Sequence, residues 1–108
     1  MTSYNLLNGV HTSERRDLTE DVLRCEFGYQ GIVMTDWLAF GLSNAKGSVY
    51  RSPKANLIAA AGGDLVMPGG SRDVKEMLEG LKDGTLTRNQ LEINASRVLK
   101  KAKELNQK

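Results

Sequence analysis

Short apolar runs alternate with helix-like stretches along the chain. A run rich in β-branched residues occupies positions 31–35, and a shorter apolar run occupies positions 65–67. Both runs are continuous and do not alternate with polar residues, which is typical of strands that helices cover on both faces. Residues 1–4 form a third candidate strand. The three segments begin about 30 residues apart with a helical stretch between each pair, an order typical of a parallel sheet.

Two helices are predicted between these strand segments. The first covers residues 16–25, with Cys25 on its apolar side, and ends just before a glycine. A polar, glycine-containing loop then occupies residues 38–51. The second helix is expected to take Ser52 as its N-cap, to have proline at its first helical position, and to end at Gly62.

Two amphipathic helices are predicted to finish the chain. The first is expected to be capped by Ser71 and ended by Gly84, and the second to open with a capping box of Thr87 and Gln90. The apolar stripes expected to be buried are Val74, Met77, Leu78 and Leu81 in the first helix, and Leu91, Ala95, Val98, Leu99, Ala102 and Leu105 in the second. The chain is therefore predicted to be α/β, with three parallel βα units that end in two amphipathic helices.

The composition limits the class of protein. With 108 residues, 40% of them hydrophobic and 26% charged, the chain has the length and composition of one small globular domain. A net charge of +2 without a concentrated basic face argues against a nucleic-acid partner. No apolar run approaches the roughly 20 residues that cross a bilayer, and the N-terminus lacks a signal-peptide core. We therefore expect no membrane partner and a cytoplasmic location.

The end of the middle strand carries the candidate chemistry. In a parallel sheet, functional residues gather where strands end, and the strand at 31–35 delivers Asp36 and Trp37 there. A carboxylate beside an aromatic ring suits carbohydrate chemistry, because the carboxylate can attack an anomeric carbon while the ring packs on the sugar. On these two residues alone, a loop-initiating aspartate beside a half-buried tryptophan is the simpler interpretation. His11 has no second metal ligand nearby, so no metal and no cofactor are predicted.

Several short motifs occur in an order and at separations that match one enzyme family. They are MTSYN at 1–5, NG at 8–9, LR at 23–24, FGYQG at 27–31, VMTDW at 33–37 and AAGGDLVMPG at 60–69. Together they resemble the nucleophile region of glycoside hydrolase family 3, over roughly the first 70 residues. The pair Asp36 and Trp37 is similar to that of the β-glucosidase and β-xylosidase branch, since the N-acetylglucosaminidase branch usually has a second acidic residue at the position of Trp37.

The resemblance implies a fold and roles for three residues. The chain would be the C-terminal third of a TIM (β/α)₈ barrel, as a single partial domain with the barrel fragment at 1–84 and a closing helix at 87–105. Asp36 would be the catalytic nucleophile that forms a covalent glycosyl-enzyme intermediate. Trp37 would line the aglycone side of the substrate site, and the hydroxyl of Tyr4 would bind the substrate or the carboxylate. The substrate of the whole enzyme would be a β-glucoside or a related oligosaccharide.

The same resemblance implies that the chain is incomplete as an enzyme. The lysine, histidine and arginine substrate clamps of earlier barrel strands, and the acid/base carboxyl of a second domain, have no match here. Retaining hydrolysis needs two carboxyl groups about 5–5.5 Å apart, but Asp64 precedes its strand and is expected on the opposite face from Asp36. The isolated chain is therefore predicted to be inactive. A non-catalytic sugar-binding or interaction module is the alternative.

Three strands taken from a closed barrel leave unpaired strand edges and an apolar sheet face. Such surfaces tend to be covered by another copy of the same chain, through edge pairing or exchange of an element. We therefore expect the fragment to form a homo-oligomer.

Overall fold

The structure, a computed structural model, describes residues 1–3, 5–37 and 51–107. Its elements in chain order are the strands β1 (Leu6–Leu7) and β2 (Val10–His11), a 3₁₀ helix (Thr12–Glu14), a π-helix (Asp17–Glu26), and the α-helices α1 (Ala55–Ala60), α2 (Ser71–Asp83) and α3 (Arg88–Asn106). Strands β1 and β2 form an antiparallel hairpin, which is the two-stranded sheet of the described residues. This part of the chain is therefore a small mixed α/β unit.

The three predicted strand segments lie side by side in parallel, but isolated bridges are their only ladder pairing in the described residues. Thr2 pairs with Thr35, and Met34 pairs with Leu65. The middle segment therefore has one parallel neighbour on each side. The prediction of three parallel βα units is not confirmed in its full form, because each pair is only one bridge long.

The start of α1 differs from the sequence prediction. Its N-cap is Lys54, whose side chain makes no capping hydrogen bond, so Ser52 is not the cap. Two distant carboxylates satisfy the first N–H groups instead: Glu76 accepts from the Ala55 N–H at 2.7 Å, and Glu14 accepts from the Lys54 N–H at 2.7 Å. Negative charge at a helix N-terminus is favourable, so these side chains replace the predicted local cap.

The two C-terminal helices lie where the sequence predicts them, and of their predicted end signals Gly84 and Thr87 are right, whereas Ser71 is wrong. Gly70, and not Ser71, is the N-cap of α2. Gly84 ends α2 in the left-handed conformation, with φ at 85°. At α3, the Thr87 hydroxyl accepts from the Gln90 N–H at 3.1 Å, but the Gln90 side chain donates to the next turn of the helix. Only half of the predicted capping box is therefore formed.

The predicted apolar stripes of α2 and α3 are largely exposed. Val74, Leu78, Leu99 and Leu105 are all more than half exposed. The buried apolar residues of the described chain are Val33, Ala55, Ile58, Ala59, Ala61 and Leu86. The core is therefore centred on α1, and this helix of 6 residues is too short to cover helices of 13 and 19 residues. Within the described ranges, no helix has the length and hydropathy of a transmembrane segment.

The first predicted helix has a wider turn than expected. It is a π-helix, and the Phe27 N–H that closes it donates to the Val22 carbonyl, five residues back, at 3.0 Å. Cys25 is exposed, although the sequence placed it on a packed apolar face. Residues three positions apart share a face in an α-helix, and the wider turn moves Cys25 away from the face of Val22.

Gly62 occupies a tight position between α1 and the π-helix. Its φ of 95° lies in the left-handed region, and a Cβ atom there would overlap the Glu20 carboxylate. Its carbonyl accepts hydrogen bonds from Arg24 at 3.1 Å and from Arg97 at 3.4 Å. The backbone angle therefore favours glycine at this position, and a Cβ atom there would also displace the Glu20 carboxylate.

Replacing Gly62 by alanine should destabilise the fold for two separable reasons. Left-handed backbone costs an L-residue about 1–2 kcal/mol, and the added Cβ would also displace the Glu20 carboxylate from its pairs with Arg97 and Arg24. Gly84→Ala is the matched control, because its φ is 85° but nothing lies within 4 Å of the added Cβ. Urea unfolding should show a larger loss for Gly62→Ala than for Gly84→Ala. Equal losses would mean that the contact with Glu20 contributes nothing.

Candidate functional site

Asp36 follows the middle segment at a point where both neighbouring segments hold the backbone. The Asp36 N–H donates to the Thr2 carbonyl at 3.0 Å. Just before it, Thr35 is buried, and its N–H donates to the Leu65 carbonyl at 3.0 Å. The Thr35 hydroxyl accepts from the Met67 N–H at 2.8 Å. These contacts fix the direction in which the chain delivers Asp36.

The two predicted site residues Asp36 and Trp37 are joined by a local hydrogen bond. One oxygen of the partly exposed Asp36 carboxylate accepts from the Trp37 N–H at 2.9 Å. The Trp37 side chain is 53% exposed, so its ring is accessible to a ligand. The segment therefore ends in a partly exposed carboxylate beside an accessible aromatic ring.

Tyr4, the third predicted site residue, lies outside the described residues, as do positions 38–50 of the loop predicted at 38–51. The structure therefore does not relate Tyr4 to Asp36. The residues that flank Tyr4 are described: the Ser3 hydroxyl donates to the Asn5 side chain and lies 3.1 Å from the Thr12 hydroxyl.

Asp64 is engaged elsewhere and is not a second carboxylate for the site. Its side chain is fully buried, and its oxygens accept from Arg24 at 2.8 Å, from Arg97 at 3.1 Å and from the Val33 N–H at 2.9 Å. These contacts lie at the start of the middle segment, whereas Asp36 follows its end. Asp64 is therefore not placed to donate a proton to a leaving group beside Asp36.

His11 is an internal contact in the structure, although the sequence placed it in a polar loop. It is only 4% exposed at the end of β2, and its Nε2 lies 2.8 Å from the Arg51 carbonyl. Within residues 1–3, 5–37 and 51–107, no group of three or more His, Cys, Asp or Glu side chains is arranged to hold a metal ion. No local pattern in the sequence signals the burial of His11.

A surface cavity of about 710 Å³ lies at the start of the middle segment, away from Asp36. Its lining includes Phe27, Tyr29, Arg97, Lys100 and Lys101. The sequence did not single out these residues as a site. Because Asp36 does not line this cavity, the cavity is not part of the candidate site.

Over most of its length the chain is similar to one family of enzymes. The family model for the glycosyl hydrolase family 3 N terminal domain matches residues 1–101. Beta-glucosidase B of Emericella nidulans is 36% identical over 108 aligned residues, which cover 98% of this chain and 11% of that protein. A beta-glucosidase of Rhizobium radiobacter is 38% identical over 100 residues, which cover 92% of this chain and 11% of that protein.

The fold is also similar to that of a solved enzyme. The structure of beta-glucosidase 3B from Thermotoga neapolitana in complex with glucose matches with a TM-score of 0.70 and 32% identity, over 90% of this chain and 13% of that one. The chain spans 11% of the length of the two curated relatives above. The match to the family's N-terminal domain does not support the narrower prediction that the chain is the last third of a barrel. Since the family model matches nearly the whole sequence, the chain belongs to glycosyl hydrolase family 3.

Proposed function

We propose that this chain is a segment of a retaining β-glucosidase-like enzyme and carries its nucleophile, Asp36. The observation that carries the proposal is the position of Asp36: its N–H binds Thr2, and the buried Thr35 before it binds the segment at Leu65. Membership of a family whose matched relatives are named beta-glucosidases supports the substrate class, a terminal β-linked glucoside. No cofactor takes part in this chemistry.

In the proposed reaction, an Asp36 oxygen attacks the anomeric carbon as the bond to the leaving-group oxygen breaks. That oxygen takes a proton from an acid/base carboxyl, and a covalent glycosyl ester remains on Asp36. Water then attacks the same carbon and gives its proton to the acid/base group, which releases Asp36. Two inversions give overall retention. Trp37 would pack on the aglycone side, and the Tyr4 hydroxyl would bind the substrate or the Asp36 carboxylate.

We further propose that the segment is the C-terminal third of the barrel and is inactive alone. The parallel order of its three segments supports the barrel assignment. Positioned acid–base groups contribute about 10²–10⁴-fold to such reactions, and the engaged Asp64 cannot act as one. The proton donor and most sugar contacts would therefore come from the remainder of the enzyme.

Trapping the intermediate tests the assignment of Asp36. In a 2-deoxy-2-fluoro-β-glucosyl fluoride, the fluorine at C2 slows both displacement steps while the fluoride leaving group keeps the first one fast, so the ester accumulates on the nucleophile. In the full-length enzyme that carries this segment, peptide mass spectrometry should find the label on Asp36. The variant Asp36→Asn should stay unlabelled, and Asp21→Asn, a change at an exposed carboxylate of the π-helix, should be labelled like the wild type. Label on another residue would overturn the proposal.

Azide distinguishes an attacking carboxylate from one that only binds. Asp36→Gly should lower kcat for an activated aryl β-glucoside by about 10⁶-fold, the scale of loss when a nucleophile is removed. Azide can enter the space left by the carboxylate and attack from the same side, so it should restore turnover and give the α-glucosyl azide. A folded variant that azide does not rescue would count against a nucleophilic role.

The alternative, a non-catalytic sugar-binding module, is favoured by one observation, the exposed ring of Trp37. Trp37 is the one tryptophan of the chain, so its fluorescence reports directly on this position. We expect no saturable change when the 108-residue chain is titrated with glucose or cellobiose, because the sugar contacts are incomplete. A saturable change that Trp37→Ala abolishes would instead favour the binding module.

We also propose that the isolated chain self-associates. Exposed apolar side chains on α2 and α3, among them Val74, Leu78 and Leu99, support this proposal. Light scattering should give a mass at least twice the 11.9 kDa of one chain. Leu78→Asp should lower that mass, whereas Lys75→Asp, at an exposed polar position of the same helix, should leave it unchanged. A stable monomer at all concentrations would contradict the proposal.

A further inference from the structure

Asp64 lies at the centre of a buried group of charges that we name the Asp64 cluster, made of Asp64, Glu20, Arg24 and Arg97. The Asp64 side chain is 0% exposed, and those of the two arginines are 8% and 19% exposed. One carboxylate oxygen accepts from Arg24 at 2.8 Å and the other from Arg97 at 3.1 Å. Glu20 pairs with the other side of the cluster, 3.2 Å from Arg97 and 3.6 Å from Arg24.

The Asp64 cluster is bonded to the start of the middle segment. The Asp64 carboxylate accepts the Val33 N–H at 2.9 Å, while the Val33 carbonyl accepts the N–H groups of Asp64 at 2.8 Å and Leu65 at 3.2 Å. Both backbone polar groups of Val33 are therefore bound to residues 64–65. The Asp64 side chain thus accepts a hydrogen bond from the Val33 N–H at the point where the backbone hydrogen bonds between the two segments end.

The pairing register of the middle segment at Val33 determines on which face of the segment the Asp36 side chain lies. Asp36 lies three positions after Val33, about 10 Å along an extended chain. Because side chains alternate between faces, a slip of one residue would move every side chain of the segment to the opposite face. Among the described residues the segment has one bridge to each neighbour, so this ladder alone specifies its register weakly.

The two arginines connect this register to two helices. Arg24, from the π-helix, donates to the carbonyls of Gly31 at 2.9 Å and Gly62 at 3.1 Å, just before the middle segment and just before Asp64. Arg97 brings α3 to the same carboxylate. A buried carboxylate that accepts from three donors has one favourable orientation. The cluster therefore holds the start of the middle segment and the start of the segment at Leu65 against the π-helix and α3.

We propose that Asp64 is a positioning residue for Asp36: by binding the Val33 N–H between Arg24 and Arg97, it sets the register that presents the nucleophile to the sugar. This role rests on the proposed function of Asp36. Asp64 touches neither the substrate nor the reacting atoms. Its loss should therefore affect the rate of attack by Asp36 more than the binding of the sugar.

The test compares chemistry with binding in the full-length enzyme that carries this segment. Asp64→Asn keeps the size of the side chain but removes its charge and places an amide N–H₂ against a donor. A displacement of about 1 Å can cost about 10²-fold in rate. We expect kcat and the rate of fluorosugar trapping to fall by up to about that factor, with KM little changed.

Two further variants keep the test informative. Arg97→Gln removes one partner of Asp64 from a less buried position, and it should produce the same split between kcat and KM with a smaller loss. Glu92→Gln is the matched control, because it breaks an exposed pair with Arg88 on the same helix, and it should change neither constant. In the 108-residue chain, amide exchange at Val33 should accelerate in Asp64→Asn and stay unchanged in Glu92→Gln.

The outcomes separate this inference from the proposed function. Label on a residue other than Asp36 in the wild type would remove the nucleophile assignment, whatever the variants do. Label on Asp36 at an unchanged rate in Asp64→Asn and Arg97→Gln would overturn the positioning role alone. If Asp64→Asn does not fold and Arg97→Gln traps the sugar like the wild type, Asp64 is only structural and the inference fails.

Discussion

The described fold depends on one buried interaction, the carboxylate of Asp64 between Arg24 and Arg97. A buried charge is costly unless it is paired and hydrogen-bonded, and several kcal/mol are at stake when one partner is lost. Here three donors satisfy the carboxylate. The apolar core is small, with Leu86 as its largest fully buried side chain. The polar cluster therefore links the middle segment to the π-helix and to α3.

Helix ends were predictable from the sequence where their signals are local. Gly84 ends α2 through its own backbone angle, and Thr87 caps α3 through a bond to a residue three positions on. The start of α1 was not predictable, because its caps come from far along the chain. Glu14 lies 40 positions from its partner, and Glu76 lies 21 positions from its partner. Periodicity carries no information about contacts at such separations.

The candidate site likewise has residues that the sequence predicts and contacts that only the folded chain reveals. The sequence predicts Asp36 and Trp37 at the end of an extended run, and the structure describes both directly after the middle segment. The Asp64 cluster had one local sign, the i,i+4 spacing of Glu20 and Arg24, which also occurs on solvated helix faces. The contact of the cluster with Arg97 joins residues 33 positions apart, so only the folded chain reveals it.

The contacts that hold Asp36 lie within this chain. The distance between the two carboxyl groups of the proposed reaction is not set by this chain alone. Retention requires a second carboxyl about 5–5.5 Å from the nucleophile, and no side chain at the described end of the middle segment supplies it. The separation of the two groups would be set by packing between this segment and the remainder of the enzyme. Exposed apolar residues of α2 and α3, such as Val74 and Leu99, are the surfaces suited to such packing. Rigid local contacts around Asp36 matter for this reason. An error in the register of the middle segment and an error in the packing would both change the same short distance between the two carboxyl groups.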